Sequence, residues 1–185
     1  MNKNRNLILA VLIISRFSIN CEDTGTQPSL EQNLLSNGSF EVDQTPSVQG
    51  WRFGNAQLAS LVKEAPPGGG YWSLGLTADW SPTMGVAYTP VAGVKTGDIV
   101  RLSSFIKAVG SSGGGVIALK VGPSIWTTAG KSIASRDTVW TEITLIDTLA
   151  LAPDDSSWIV LSSFNTEIVR RKGLFDLVRL EKVSR

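Results

Sequence analysis

The sequence predicts an all-β domain, a sandwich or barrel of antiparallel strands. From Asn33 onward, short runs of β-branched and aromatic residues alternate with clusters of Gly, Pro, Ser and Asp. No stretch carries the 3.6-residue apolar period of an amphipathic helix, whereas Ile99–Val109 alternates in twos. Regularly spaced short strands with turn signals between them are the pattern of all-β architectures.

The folded part opens at "NLLSNGSFEV", Asn33 to Val42, with "GW" following at Gly50-Trp51. The clearest strand runs after it are Trp72–Leu76, Gly85–Tyr88, Ile99–Val109, Val116–Val121, Trp140–Ile146, Trp158–Phe164 and Leu174–Lys182. Between them stand "APPGGG", "KTGD", "GSSGGG", "APDDSS" and "RRKG", read as turns because Gly and Pro punctuate regular structure. Within Ile99–Val109, alternation puts Val100, Leu102, Ser104, Ile106 and Ala108 on one face, which suits a core. Ile99, Arg101, Ser103, Phe105 and Lys107 fall on the other, a mixed face that meets either water or a ligand. Val178 and Leu180 point one way in the last strand, Arg179 and Glu181 the other.

Composition narrows the chemistry. With 185 residues the chain is long enough for one domain with a real core. It has no His, which excludes Ser-His-Asp and Cys-His catalysis, His-ligated zinc and imidazole acid–base work. Its single cysteine, Cys21, rules out an intrachain disulfide. The formal charge of +1 becomes −2 once residues 1–20 are set aside, since these contain Lys3, Arg5 and Arg16 and no acid. A near-neutral chain without a basic block gives no reason to expect a nucleic-acid partner. The one basic cluster, Arg170-Arg171-Lys172, reads as a solvated loop.

Residues 1–20 read as an export signal: Lys3 and Arg5 precede the apolar run "LILAVLII", which is too short to span a bilayer as a mature helix. The signal ends in "SRFSINC", followed by the polar "EDTGTQPS". This resembles a bacterial lipoprotein lipobox. The resemblance implies lipidation of Cys21, a lipidated N-terminus and linker over residues 21–32, and a membrane-anchored protein on the bacterial cell envelope, at the outer membrane or surface. Cleavage by an ordinary signal peptidase is the alternative, and it too predicts export.

Residues 33–185 are expected to form the domain, without internal repeat or second domain boundary. Asn37, Gly38, Phe40, Glu41, Gly50 and Trp51 resemble the opening of the galactose-binding-like jelly rolls common among carbohydrate-binding modules. "GGGYWSLGLT", "VKTGDIVRLSSFIKA", "VWTEITL" and "GLFDLVRLEKV" continue the resemblance in order, over about residues 33–183. It implies a β-sandwich jelly roll whose first and last strands are neighbours, with Phe40 and Trp51 in the core. Asn-Gly is then expected to supply positive backbone angles entering the first strand. The resemblance also implies a structural calcium ion held by Glu41 and Asp176. Calcium takes six to eight oxygens, so carbonyls from a loop such as Pro67–Tyr71 complete the set. The plainer alternative makes both acids ordinary strand-end carboxylates.

The function implied is non-catalytic recognition of a poly- or oligosaccharide, with aromatic rings packing on the flat C–H faces of the sugar. Trp51 and Trp140 match positions that pack in the core in the family, and Trp72 and Trp158 lie in apolar runs that read as core. Trp80 in "ADWSPTMG" and Trp126 between "VGPSI" and "TTAG" stand next to turn signals and are the leading platform candidates. Tyr88, Arg101, Phe105 and Lys107 are candidates on a concave sheet face. One alternative is a structural or adhesive envelope module that binds protein. Another is a glycoside hydrolase or polysaccharide lyase, for which Asp79, Asp137, Glu142, Asp154, Asp155 and Glu167 are available, though none sits in a recognisable catalytic motif.

Overall fold

The computed structural model describes residues 33–79, 84–127, 129–167 and 169–183. Within them, strands dominate. In chain order they are β1 (Glu41–Val42), β2 (Thr45–Pro46), β3 (Arg52–Phe53), β4 (Ala59–Val62), β5 (Ser73–Ala78) and β6 (Val86–Val91). They continue as β7 (Ile99–Val109), β8 (Gly113–Gly122), β9 (Gly130–Ser135), β10 (Thr141–Thr148), β11 (Ser156–Asn165) and β12 (Arg171–Lys182). The only helical turn among the described residues is a 3-10 turn, Ala56–Leu58, whose N-cap Asn55 accepts from the Gln57 N–H. None of the described helices is long and apolar enough to cross a membrane.

Two five-stranded antiparallel sheets face each other, and β1 and β2 form a small separate hairpin. Sheet I runs β10-β7-β12-β5-β4, and sheet II runs β3-β6-β11-β8-β9. Between them lies a core in which Phe40, Leu74, Leu76, Leu102, Ile106, Ile117, Ile159, Leu161 and Phe175 are wholly buried. Each such side chain contributes roughly 1.5–3 kcal/mol relative to exposure. The two-residue alternation of β7 appears as expected: Val100, Leu102, Ser104, Ile106 and Ala108 are buried, while Arg101, Phe105 and Lys107 stand half-buried on the outer face.

The chain ends do lie together. Leu34 N–H donates to the Leu180 carbonyl, Leu180 N–H to Asn33 Oδ1 and Val178 N–H to the Gly38 carbonyl. Phe40 packs on Trp51 at a ring separation of 5.3 Å, and the Trp51 indole donates to the Asn37 carbonyl at 2.7 Å. Gly38 is needed for a different reason from the one expected. It does not take a positive φ; a Cβ there would sit 1.9 Å from the Val178 carbonyl oxygen. The positive angles fall instead on Phe40, Asp43 and Gln44.

Two expected turns are partly strand. "GSSGGG" turns only as far as Ser112, and Gly113–Gly115 already belong to β8. A Cβ on Gly115 would meet Phe175 at 2.6 Å, and one on Gly173 would meet the Gly114 carbonyl at 2.8 Å, so these glycines let the sheets approach. "RRKG" likewise enters β12 at Arg171. The short strands β3 and β4 and the edge strand β9 carry too little alternation to stand out in the sequence. β9 is paired on one side only and is largely exposed.

Candidate functional site

Two sites emerge, on opposite outer faces of the sandwich. The first gathers Glu41, Asp176 and the glycine-rich turn. A register shift in β12 between Asp176 and Arg179, with Leu177 at φ 49°, lets Gly38 bond to Val178 and brings the Glu41 strand alongside. Asp176 is fully buried, although its neighbour across the strand pair, Phe105, lies on the outer face of sheet I. What covers it is the 65–72 loop: a Cβ on Gly69 would lie 2.3 Å from Asp176 Oδ2, and one on Gly70 would lie 1.7 Å from Glu41 Oε1. Glu41 Oε2 accepts from the backbone N–H groups of Tyr71 and Trp72, at 2.9 and 3.2 Å.

Asp176 Oδ1 accepts from the Leu177 N–H at 2.7 Å, whereas its Oδ2 is buried without a partner. Burial pushes the Asp176 carboxyl up to about 8. The Leu177 hydrogen bond opposes that shift, and the charge of Glu41 adds to it. An orphaned carboxylate oxygen beside a second carboxylate, in a cradle that only glycine fits, suits a hard cation. No three or more acidic, His or Cys side chains are grouped so as to hold a metal ion among the described residues. Any further oxygens would therefore come from the backbone, from neutral side chains or from water.

Elsewhere on this outer face two cations are paired with acids, while the β10 positions Glu142, Thr144 and Ile146 are exposed. Arg101 donates through Nε and Nη2 to Glu181 Oε2 at 3.1 and 2.7 Å. Lys107 pairs with Glu64, at the start of the covering loop.

The second site lies on the outer face of sheet II. In β6, Ala87 faces the core and Tyr88 faces out; in β11, Ile159 and Leu161 face in while Trp158 and Val160 face out. Val160 is the partner of Tyr88 and Trp158 that of Pro90, so the two rings are diagonal neighbours. They meet edge to face at a centroid distance of 6.2 Å. Trp126, on the β8–β9 connection, is 71% exposed. Its ring edge passes 3.8 Å from where a Gly54 Cβ would stand, next to Val86 on the same face. Arg52 is the strand partner of Tyr88, and Lys120 that of Trp158.

The candidates named from the sequence are therefore divided. Tyr88 and Trp126 share the face of sheet II. Arg101, Phe105 and Lys107 lie on the opposite face, so no single ligand reaches both groups. Trp80 and Cys21 lie outside the described residues. Trp158, expected in the core, is half-buried on the outer face beside Tyr88. Its apolar run conceals the alternation, because sheet II's outer face also carries Val160 and Val116. Arg52 and Lys120 were missed because only strand pairing brings them beside the aromatic rings. A cavity of about 220 Å³ between the β3 and β4 edges is lined by Val48, Phe53, Ala59, Leu61 and Leu74, with few polar groups for a sugar.

No family model matches the chain, and no curated protein matches it. Solved structures do. A family 61 carbohydrate-binding module in complex with β-1,4-galactotriose aligns with a TM-score of 0.55 and 19% identity, over 82% of this chain and 99% of that one. A family 16 carbohydrate-binding module aligns with a TM-score of 0.59 and 20% identity, over 80% and 99%. A Stig cyclase from Fischerella sp. TAU, in complex with a pyrrolidinylidene-indole, aligns with a TM-score of 0.60 and 13% identity, over 83% and 98%. The chain thus has the antiparallel β-sandwich jelly-roll fold seen in carbohydrate-binding modules.

Proposed function

We propose that this protein is a non-catalytic carbohydrate-binding module whose site is the outer face of sheet II. The observation that carries the reading is the Tyr88–Trp158 ring pair, with Trp126 reaching over the same face. Aromatic surface of this kind packs on sugar C–H faces. The fold is the one that binds β-1,4-galactotriose in one structural neighbour. The cyclase neighbour shows that such a jelly roll also supports catalysis. Glycoside hydrolysis, however, needs two carboxylates about the scissile bond. The outward positions of β3, β6, β11, β8 and β9 carry none.

Glu41 and Asp176, with carbonyls of the covering loop, would hold a structural calcium ion. When bound, the ion supplies positive charge that offsets two neighbouring carboxylates and ties the terminal strands to the loop. Cys21 is the proposed lipidation site, and with it the anchor that displays the domain on the cell envelope. Replacing Cys21 with Ser should move the protein from the membrane fraction to the soluble one, and unchanged partition would remove the anchor.

The test of the central reading is affinity electrophoresis against a panel of polysaccharides. Trp158→Ala and Trp126→Ala should each weaken binding about tenfold, as expected for loss of an aromatic anchor, while circular dichroism shows the fold intact. Retention of full affinity by both variants would remove the site from this face.

A further inference from the structure

The face carrying Tyr88 and Trp158 has a charge pattern that its ring pair alone does not explain. Arg52, Tyr88, Trp158 and Lys120 come from four successive strands of sheet II, β3, β6, β11 and β8. They form a row with a cation at each end and two rings between. Three strand spacings separate its ends, about 14 Å across the sheet. Neither Arg52 nor Lys120 makes an ion pair among the described residues, a property they share with Lys63, Lys95, Arg136, Lys172 and Arg179, so what marks them is their place beside the rings. A third cation, Arg136, borders the face with its guanidinium 5.2 Å from the centre of the Phe164 ring.

The outward positions offer no counter-charge. Val86, Tyr88 and Pro90 of β6, Trp158, Val160, Ser162 and Phe164 of β11, and Val116, Ala118 and Lys120 of β8 include no acid. Nor do Ser132 and Ala134 of β9. The chain as a whole has almost as many acids as bases. Acid-free outward strand positions with a cation on each side of the aromatic rings are therefore a local segregation of charge and not a reflection of composition.

Resting on the carbohydrate reading above, we infer that the ligand is an anionic glycan, one bearing carboxylate or sulfate groups. Tyr88 and Trp158 pack against sugar rings while Arg52 and Lys120 each take a negative group on either side of them. A guanidinium donates a planar fork to such a group and an ammonium acts as a point charge. A neutral glycan would leave both cations to water.

Isothermal titration of the protein with three polymers tests this: polygalacturonate, a sulfated galactan and neutral β-1,4-galactan, each at low salt and at about 0.5 M salt, where charges are screened within a few ångströms. At least one anionic polymer should bind about tenfold or more tighter than the neutral one at low salt, with most of that advantage lost at high salt. Whether uronate or sulfate is preferred identifies the anionic group. Arg52→Met and Lys120→Met should each lower anionic affinity about tenfold, as for a hydrogen bond to a charged group, with an unchanged melting temperature. Equal or tighter binding of the neutral galactan, or full anionic affinity in both variants, would overturn the inference and leave the carbohydrate reading standing. Binding of no polymer, neutral or charged, would overturn both.

Discussion

On the outer face of sheet I, Arg101 and Lys107 each meet a carboxylate, and the 65–72 loop folds down over Asp176. On the outer face of sheet II, Arg52 and Lys120 meet none among the described residues, and Tyr88, Trp158 and Trp126 lie half-buried or exposed. Both faces are built from alternating strands with mixed polar and aromatic residues. The difference arises from what returns over them. Sheet I receives a glycine-rich connection that covers a pair of acids, whereas Arg52 and Lys120 on sheet II engage no acid among the described residues. A strand's outward residues thus become structural or available according to a loop elsewhere in the chain.

The contrast is broken most severely at Gly70. It holds φ +78°, and a Cβ would sit 1.7 Å from Glu41 Oε1, so Gly70→Ala should expel the loop or the carboxylate. The expected cost is about 3–4 kcal/mol, in the range of buried steric and polar disruptions, which is about 10 °C in melting temperature for a chain of this length. Gly54→Ala on the face of sheet II meets only Val86 and Trp126, at 3.5 and 3.8 Å, and should shift it by no more than about 2 °C. Similar drops in both, read by calorimetry, would erase the distinction between the two faces.

The second test is the pH dependence of the covered acids. Asp176 titrates near 8 in the folded chain against an ordinary value of 3.8. Below about pH 4 both folded and unfolded states hold the proton. Between there and pH 8 only the folded state does, so stability should fall as pH rises across that window in the presence of chelator. Calcium requires the carboxylate, so adding it should raise the melting temperature more at pH 8 than at pH 5. Asp176→Asn should abolish that gain. A melting temperature indifferent to calcium at both pH values would exclude the ion from this pocket.

A modest effect on stability belongs to Arg101→Met. Its partly exposed pair with Glu181 is worth at most about 1 kcal/mol, so the melting temperature should drop by only a few degrees. Glycan affinity should not change, because Arg101 stands on the face away from Tyr88. A tenfold loss of affinity would move the binding site to sheet I.

The strand content was legible because alternation is local: β7 was readable along its whole length from Ile99 to Val109, and the contact between the chain ends followed from motifs at Asn37–Glu41 and Phe175–Asp176. The segments of Glu41 and Asp176 were expected side by side, and both carboxylates do lie against the Gly69–Gly70 turn. Trp158 misled because its apolar neighbours Val160 and Leu161 hide which way each residue turns, and only the buried Ile159 fixes the phase. The glycines misled for a similar reason. Gly115 and Gly173 resemble turn residues in sequence, but they are small because another strand approaches them.

By itself the amino-acid order determined that this chain forms strands and which residues of β7 face inward, since both depend on period and on chemistry close along the chain, whereas the meeting of the two ends was implied by the resemblance of the motifs there. The tertiary structure alone decided that the 65–72 loop covers Asp176, and that Arg52, Tyr88, Trp158 and Lys120 form one row. These four residues are separated by up to about a hundred positions, and only strand pairing brings them within reach of one ligand.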